Sequence, residues 1–262
     1  MNNKIAIIGG GNLGQAIASG LLTQGFTPSN LTITRQKVEL LQQFKDRNVN
    51  IISNNIEAVK NAEIVIIAVK PYQISDVLKE ISPVFSKEKL LISAVSDFSI
   101  ESILNELKEK PTVFRVMPNT ASSVNESMTC IATSHASEED TETVKSIFNA
   151  LGSTVVINEQ LMAAATVLGA CGIAYVLRFI RGMIQGGIEI GFDAKTATQI
   201  ATQTVKGASE LLLQKGNHPE AEIDKVTTPK GCTIAGLNEM EHQGFSSALI
   251  KGIKTSYANI SK

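Results

Sequence analysis

Residues 5–14 constrain this chain more than any other stretch: Ile5-Ala6-Ile7-Ile8 runs into Gly9-Gly10-Gly11-Asn12-Leu13-Gly14 and then into the helical pattern Gln15 to Leu22. A buried-type strand, a glycine turn and an amphipathic helix in that order form the phosphate-binding opening of a βαβ unit. In this reading Gly9 permits the tight turn, Gly11 lets the backbone approach a pyrophosphate, and Gly14 lets the helix pack on the strand. Asn12 and Leu13 open the helix, where free N–H groups and a positive dipole end suit an anion.

The pattern continues to about residue 157 as short β-branched runs alternating with helical stretches, the signature of a parallel sheet. Seven strands are expected, at 4–8, 31–34, 63–69, 89–93, 112–117, 127–132 and 153–157. The run Ile64 to Val69 is apolar on both faces, as a central parallel strand must be. After Asn158 strand signals stop. Helices are expected over about 159–170, 172–191, 194–215 and 219–225, with two more from 232 onward. Asp193 reads as an N-cap and Gly216 as a C-terminal stop. The expected fold is therefore α/β, with a Rossmann-type parallel sheet domain over 1–158 and an all-helical domain over 159–262.

Composition excludes several function classes. A formal net charge of -1 over 262 residues argues against a polyanion-binding surface, so no nucleic-acid partner is expected. Cys130, Cys171 and Cys232 are odd in number and widely spaced, which fits a reducing cytoplasm. No signal-peptide core follows a basic head at the N-terminus. Residues 161–177 carry no charge, but the run falls just short of a membrane span and is rich in small residues, so a packed soluble helix is expected. The stretch 161–190 is more apolar than one side of a hairpin needs, and a subunit interface would cover it. His135, His218 and His242 lack ligand spacing and read as surface or packing residues, and no metal site is expected.

The cofactor type is read about twenty residues after the glycine turn, where an NAD site places an acid at the end of the second strand. Here Thr34, Arg35 and Lys37 occupy that place and no acid appears before Glu39. A guanidinium pairs with phosphate in bidentate fashion, so Arg35 points to NADPH, with NADH left possible.

Three later segments carry a resemblance. They are Ala68-Val69-Lys70-Pro71, Arg115-Val116-Met117-Pro118-Asn119-Thr120, and Asp224-Lys225-Val226-Thr227-Thr228-Pro229-Lys230-Gly231-Cys232-Thr233-Ile234-Ala235-Gly236-Leu237. In this order they resemble the pyrroline-5-carboxylate reductase family over the whole chain. The resemblance implies NADPH-dependent reduction of 1-pyrroline-5-carboxylate to L-proline, the last step of proline biosynthesis, by hydride transfer to the cyclic imine. It also implies a helical dimerisation domain and a homodimer or a higher oligomer of dimers. Thr233 matches the family's hydroxyl at the imine nitrogen, and Thr228, Gly231, Cys232 and Thr233 match the loop that holds the substrate carboxylate. Pro229 and Gly231 break the chain just before a helix whose free N–H groups can bind that carboxylate. Read without the resemblance, Thr227, Thr228 and Thr233 are ordinary helix-capping residues. Asn55, Ala68, Val69, Lys70 and Pro71 match positions that the family sets against the cofactor, and Ala94 and Asn119 fall at strand ends on the same edge.

Three segments depart from the family. Leu168-Gly169-Ala170-Cys171-Gly172-Ile173-Ala174-Tyr175 lacks the hydroxyls and the proline of the usual Ser-Gly-Ser-Gly-Pro-Ala-Tyr. Pro229-Lys230-Gly231-Cys232-Thr233 replaces Pro-Gly-Gly-Thr-Thr and adds a cation. Ala94-Val95-Ser96-Asp97 lacks the glycine of the family's alanine-glycine turn. Two other readings compete. A β-hydroxyacid dehydrogenase-like enzyme needs a lysine and an asparagine one turn apart early in the second domain, whereas Lys145 and Asn149 lie before the boundary. A regulatory homologue would bind NADPH and a partner protein, but a dead site would have lost Thr233 or the phosphate glycines.

Overall fold

The computed structural model of the chain describes residues 3–260. One eight-stranded sheet has the order β3-β2-β1-β4-β5-β6-β7-β8. Its strands are β1 (Ile5–Ile8), β2 (Leu31–Thr34), β3 (Asn50–Ile52), β4 (Ile64–Ile67), β5 (Leu90–Ser93), β6 (Thr112–Met117), β7 (Ser127–Thr133) and β8 (Gly152–Val156). The helices flanking it are α1 (Asn12–Thr23), α2 (Gln42–Lys45), α3 (Asn55–Lys60), α4 (Ile74–Ile81), α5 (Ile100–Glu106) and α6 (Glu138–Asn149).

Alternation along the central strands builds two apolar layers, because successive side chains point to opposite faces. Ile5, Ile7, Ile64 and Ile66 join Ile17 and Leu21 of α1 and Phe148 of α6 in one layer. Ala6, Ile8, Val65 and Ile67 join Val59 of α3, Leu78 of α4 and Ile103 of α5 in the other. All four residues of β1 and of β4 are buried, as strands covered on both faces require.

The structure corrects the sequence reading at three places in the sheet. An eighth strand, β3, pairs in parallel with β2; its three residues are too few to show alternation. Strand β4 is shorter at both ends than the expected 63–69, and Ala68 and Val69 belong to the turn that follows it. Strand β7 runs antiparallel to β6, and β8 then pairs in parallel with β7. Only residues 118–126 link β6 to β7, a 3₁₀ turn at Thr120–Val124 among them, and a parallel crossover needs a dozen or more. The link length was visible in the sequence and should have ruled out a crossover there.

By its internal contacts the chain divides into two compact units after Ala170, beyond the composition shift near 158. Residues 159–170 are also not one regular helix: a 3₁₀ turn at Glu159–Leu161 leads into α7 (Met162–Ala165) and a π-helical turn at Thr166–Cys171. Arg115 of β6 ties this segment to the sheet, donating to Glu159 at 3.0 Å, while the same carboxylate oxygen accepts the N–H of Ile100 at 2.7 Å.

The second unit consists of α8 (Gly172–Glu189), α9 (Ala194–Lys215), α10 (Pro219–Val226), α11 (Cys232–His242) and α12 (Phe245–Ile260). Asp193 caps α9 by accepting the N–H groups of Lys195 and Thr196, and Gly216 ends it at φ 66°. Its buried apolar cluster is small, Ile184, Ala197 and Ala201. On α8, Val176, Leu177 and Phe179 are exposed, within the stretch for which a subunit interface is expected. Among the described residues, Glu159–Glu189 is the one stretch long and apolar enough to cross a membrane by length and composition, and little of it is buried in the chain.

Candidate cofactor cleft and substrate loop

A cleft of about 1030 Å³ opens at the carboxyl ends of β1, β2, β4 and β5. Strand β1 lies between β2 and β4, so the chain reverses direction across the sheet here, the place where open α/β sheets bind ligands. Gly9, Gly11, Asn12, Leu13, Thr34, Arg35, Asn55, Ala68, Val69, Lys70, Pro71 and Ala94 all line it.

The glycine turn is shaped by close approaches. Gly9 has φ 107°, and a Cβ there would stand 2.7 Å from the Ala68 carbonyl oxygen. A Cβ on Gly14 would stand 2.2 Å from the Gly9 carbonyl oxygen, so only glycine lets α1 sit so near the turn. Gly14 therefore lies under the cleft wall and not on it. Gly11 differs: a Cβ there would meet nothing within 4 Å, so the backbone in front of it is open. Gly11 is the N-cap of α1 without a side-chain cap, and the first turn of α1 carries no acid. The opening N–H groups and positive end of α1 are thus left for an anion, which fits a dinucleotide pyrophosphate.

Polar side chains fix the neighbouring strand ends. The Arg35 guanidinium donates to the Gly10 carbonyl at 2.7 Å, which holds it beside the glycine turn. The Thr34 hydroxyl donates to Asn55 Oδ1 at 2.7 Å and accepts the Gly9 N–H at 3.4 Å. Asn55 Nδ2 donates to Glu80 at 2.9 Å. At the turn after β5, Asp97 takes φ 58°. Aspartate tolerates the left-handed region better than most residues, so the turn is made there without the family's glycine.

Asn119 does not line the cleft. Its Nδ2 donates to the Gly169 carbonyl at 3.1 Å and its Oδ1 accepts the Ala121 N–H at 3.0 Å, so both ends of the amide serve the chain itself. Sequence reasoning also passed over lining residues, among them Ser53, Gln73, Val77, Glu80 and Ser96. Ser53 follows the unrecognised β3. Val77 and Glu80 are spaced as one face of α4, with Gln73 at its N-cap, a signal available once that helix was placed.

In the second unit Thr228, Gly231, Cys232 and Thr233 come together at the start of α11. Gly231 is the N-cap, with no side-chain cap, and its N–H donates to the Thr228 carbonyl at 2.9 Å. A Cβ on Gly231 would stand 2.6 Å from the Thr228 hydroxyl. None of the three threonines caps α11 with its side chain, but the capping reading holds for Thr227, which is the C-cap of α10 and whose hydroxyl donates to the Asp224 carbonyl. Cys232 and Thr233 are exposed, and the first turn of α11 carries no acid. Lys230 takes φ 59°, a conformation that suits the glycine of the usual motif.

The remaining candidates lie elsewhere. Lys145 pairs with Glu142, and Asn149 accepts from the Thr154 hydroxyl, so neither faces the cleft. His135, His218 and His242 are exposed, and His218 accepts the Glu220 N–H at the start of α10. The three cysteines are free, and burial pushes the Cys130 thiol up from its usual range. Among the described residues no three His, Cys, Asp or Glu side chains could hold a metal ion.

Comparison with known proteins adds to this geometry. The family model for pyrroline-5-carboxylate reductase dimerisation matches residues 159–262, and that for NADP oxidoreductase, coenzyme F420-dependent, matches 4–97. Pyrroline-5-carboxylate reductase 1 of Dictyostelium discoideum is 45% identical over 97% of this chain, which spans about half, 49%, of that longer protein. Pyrroline-5-carboxylate reductase 2 of the same organism is 43% identical, covering 100% of this chain and 93% of its own length. Among solved structures, a pyrroline-5-carboxylate reductase from Coxiella burnetii superposes with a TM-score of 0.95 at 26% identity, over 100% of this chain and 98% of that one. The Plasmodium falciparum pyrroline carboxylate reductase, solved with NADP bound, gives 0.87 at 27% identity, over 99% and 97%. With a dinucleotide-type cleft in the sheet unit, the signature loop at the start of α11 and a relative 43% identical over 93% of its length, the chain belongs to the pyrroline-5-carboxylate reductase family.

Proposed function

We propose that this chain reduces 1-pyrroline-5-carboxylate to L-proline with NADPH, the last step of proline biosynthesis. The observation that carries the reading is the 43% identity to a curated reductase over 93% of that protein's length. NADPH supplies the hydride, which the imine carbon accepts. The open backbone at Gly11 and the N–H groups of Asn12 and Leu13 bind the pyrophosphate. Arg35 and Lys37, both lining the cleft, attract the 2'-phosphate. The N–H groups of Cys232 and Thr233, at the positive end of α11, hold the substrate carboxylate. The Thr233 hydroxyl stands at the imine nitrogen and favours the protonated iminium, which accepts hydride more readily. Little further acid–base chemistry is needed, since catalysis rests on alignment.

The same reading makes the protein a cytoplasmic homodimer or a higher oligomer of dimers, with no nucleic-acid or membrane partner. The exposed Val176, Leu177 and Phe179 support self-association, since they fall within the region matched by the dimerisation family. That match also favours a protein partner over lipid for the apolar stretch 159–189. Three free cysteines fit a reducing compartment.

The test is loss of reduced-nicotinamide absorbance on adding pyrroline-5-carboxylate. Thr233→Ala should lower kcat/KM about 100-fold, the scale for removing one donor from a developing charge. Wild-type protein that binds NADPH without turnover would overturn the assignment and favour a regulatory homologue.

A further inference from the structure

An NAD-type site carries its ribose-binding acid at the end of the second strand. Here β2 ends at Thr34 and runs into Arg35. A carboxylate reaches the same place from another element. Glu80, in the last turn of α4, lines the cleft, and its Oε2 accepts from Asn55 Nδ2 at 2.9 Å. Asn55 in turn accepts the Thr34 hydroxyl at 2.7 Å, so two hydrogen bonds link Glu80 to the last residue of β2. Glu80 is exposed to the cleft, and Oε1 takes no hydrogen bond among the described residues. Arg35 and Lys37 line the same cleft with the opposite charge.

We propose that Glu80 sets the balance between the two nicotinamide cofactors: its carboxylate accepts the adenosine 2'-hydroxyl of NADH and repels the 2'-phosphate of NADPH, against the pull of Arg35 and Lys37. A hydroxyl donating to a carboxylate makes a charge-assisted bond, stronger than one to a neutral amide. A phosphate in the same place meets like charge, which weakens binding. The two cofactors therefore read Glu80 with opposite signs. Any role of Glu80 as a mere support for Asn55 would instead affect both alike. The assignment rests on the cleft holding a nicotinamide dinucleotide.

The experiment measures Kd for NADPH and for NADH separately, from the emission of the reduced nicotinamide, on full-length wild type, Glu80→Gln and Asp76→Asn. Glutamine keeps an oxygen for Asn55 but loses the charge. Glu80→Gln should tighten NADPH and weaken NADH, each by about fivefold, the scale of a charge-assisted against a neutral hydrogen bond. Asp76→Asn, which removes the other acid lining the cleft, should leave the ratio of the two constants unchanged. Equal shifts for both cofactors in Glu80→Gln, no shift, or the same change of ratio in Asp76→Asn would each overturn the role of Glu80 while leaving the dinucleotide cleft intact. Wild-type protein that binds neither cofactor would overturn both. Unchanged circular dichroism of the variants, with binding shifts of opposite sign, separates the effect from misfolding.

Discussion

The sheet unit and the helical unit satisfy their apolar side chains in different ways. In the first, strand alternation divides the isoleucines and valines of β1 and β4 between two layers, each closed by helices of the same unit. In the second, the buried apolar cluster is Ile184, Ala197 and Ala201, while Val176, Leu177, Phe179, Ile188 and Phe192 stay exposed. A parallel sheet covered on both faces carries its own core; a few helices with apolar faces pointing outward need another surface. Changes in the first unit should therefore act through its folding, and changes on α8 through assembly.

Three substitutions sharpen that contrast. The largest effect is expected from Leu177→Glu, which places a charge on an exposed apolar face of α8. Size-exclusion chromatography should show a smaller species and turnover should fall about 100-fold or more, since an unpaired charge in an interface costs several kcal/mol. The sheet unit should keep its circular dichroism. An unchanged assembly would remove α8 from the interface. Next is Arg115→Ala, which removes the partner of Glu159 from a pair whose side chains are 11% and 29% exposed. Chemical denaturation should show a loss of about 2 to 3 kcal/mol, below the full cost of breaking a buried pair because Glu159 keeps some water. Arg115→Met with Glu159→Gln should recover part of it, and equal loss in single and double variants would show that the pair matters only through packing. The smallest effect is expected from Lys230→Gly. Its left-handed backbone costs a lysine more than a glycine, so stability should rise by about 1 kcal/mol after glycine's greater chain entropy is subtracted. A fall in stability would show that the lysine side chain contributes more than the backbone conformation costs.

Much of the cleft could be read from the chain because its makers are adjacent in sequence. The strand, the glycine turn and the start of α1 occupy residues 5–23, and local pattern fixes their order and most of their geometry. Thr34, Arg35 and Ala68 to Pro71 follow strands whose apolar runs are unmistakable, so their place at the carboxyl edge was also legible. Glu80 was not, since its spacing with Val77 marks a shared helix face only once α4 is placed, and which way that face turns is set by packing. Asn119 shows the reverse: a strand-end position suggested cofactor contact, yet its amide is engaged by Ala121 and by Gly169, fifty residues away. Asp97 and Lys230 broke the expected glycine pattern, and only backbone angles show that both turns are kept.

By itself the sequence determined the α/β class, the phosphate-binding turn, the change from strands to helices near 158, and the caps of α9, because all of these depend on periodicity or on contacts within a few residues. Tertiary structure decided the eighth strand, the antiparallel return of β7, the break of the 159–170 segment into short turns with a unit boundary after Ala170, and the Thr34–Asn55–Glu80 chain of hydrogen bonds. The physical reason is range: a hydrogen bond or a strand pairing between residues far apart in the chain leaves no period in the sequence and is settled only when the packed core brings its partners together.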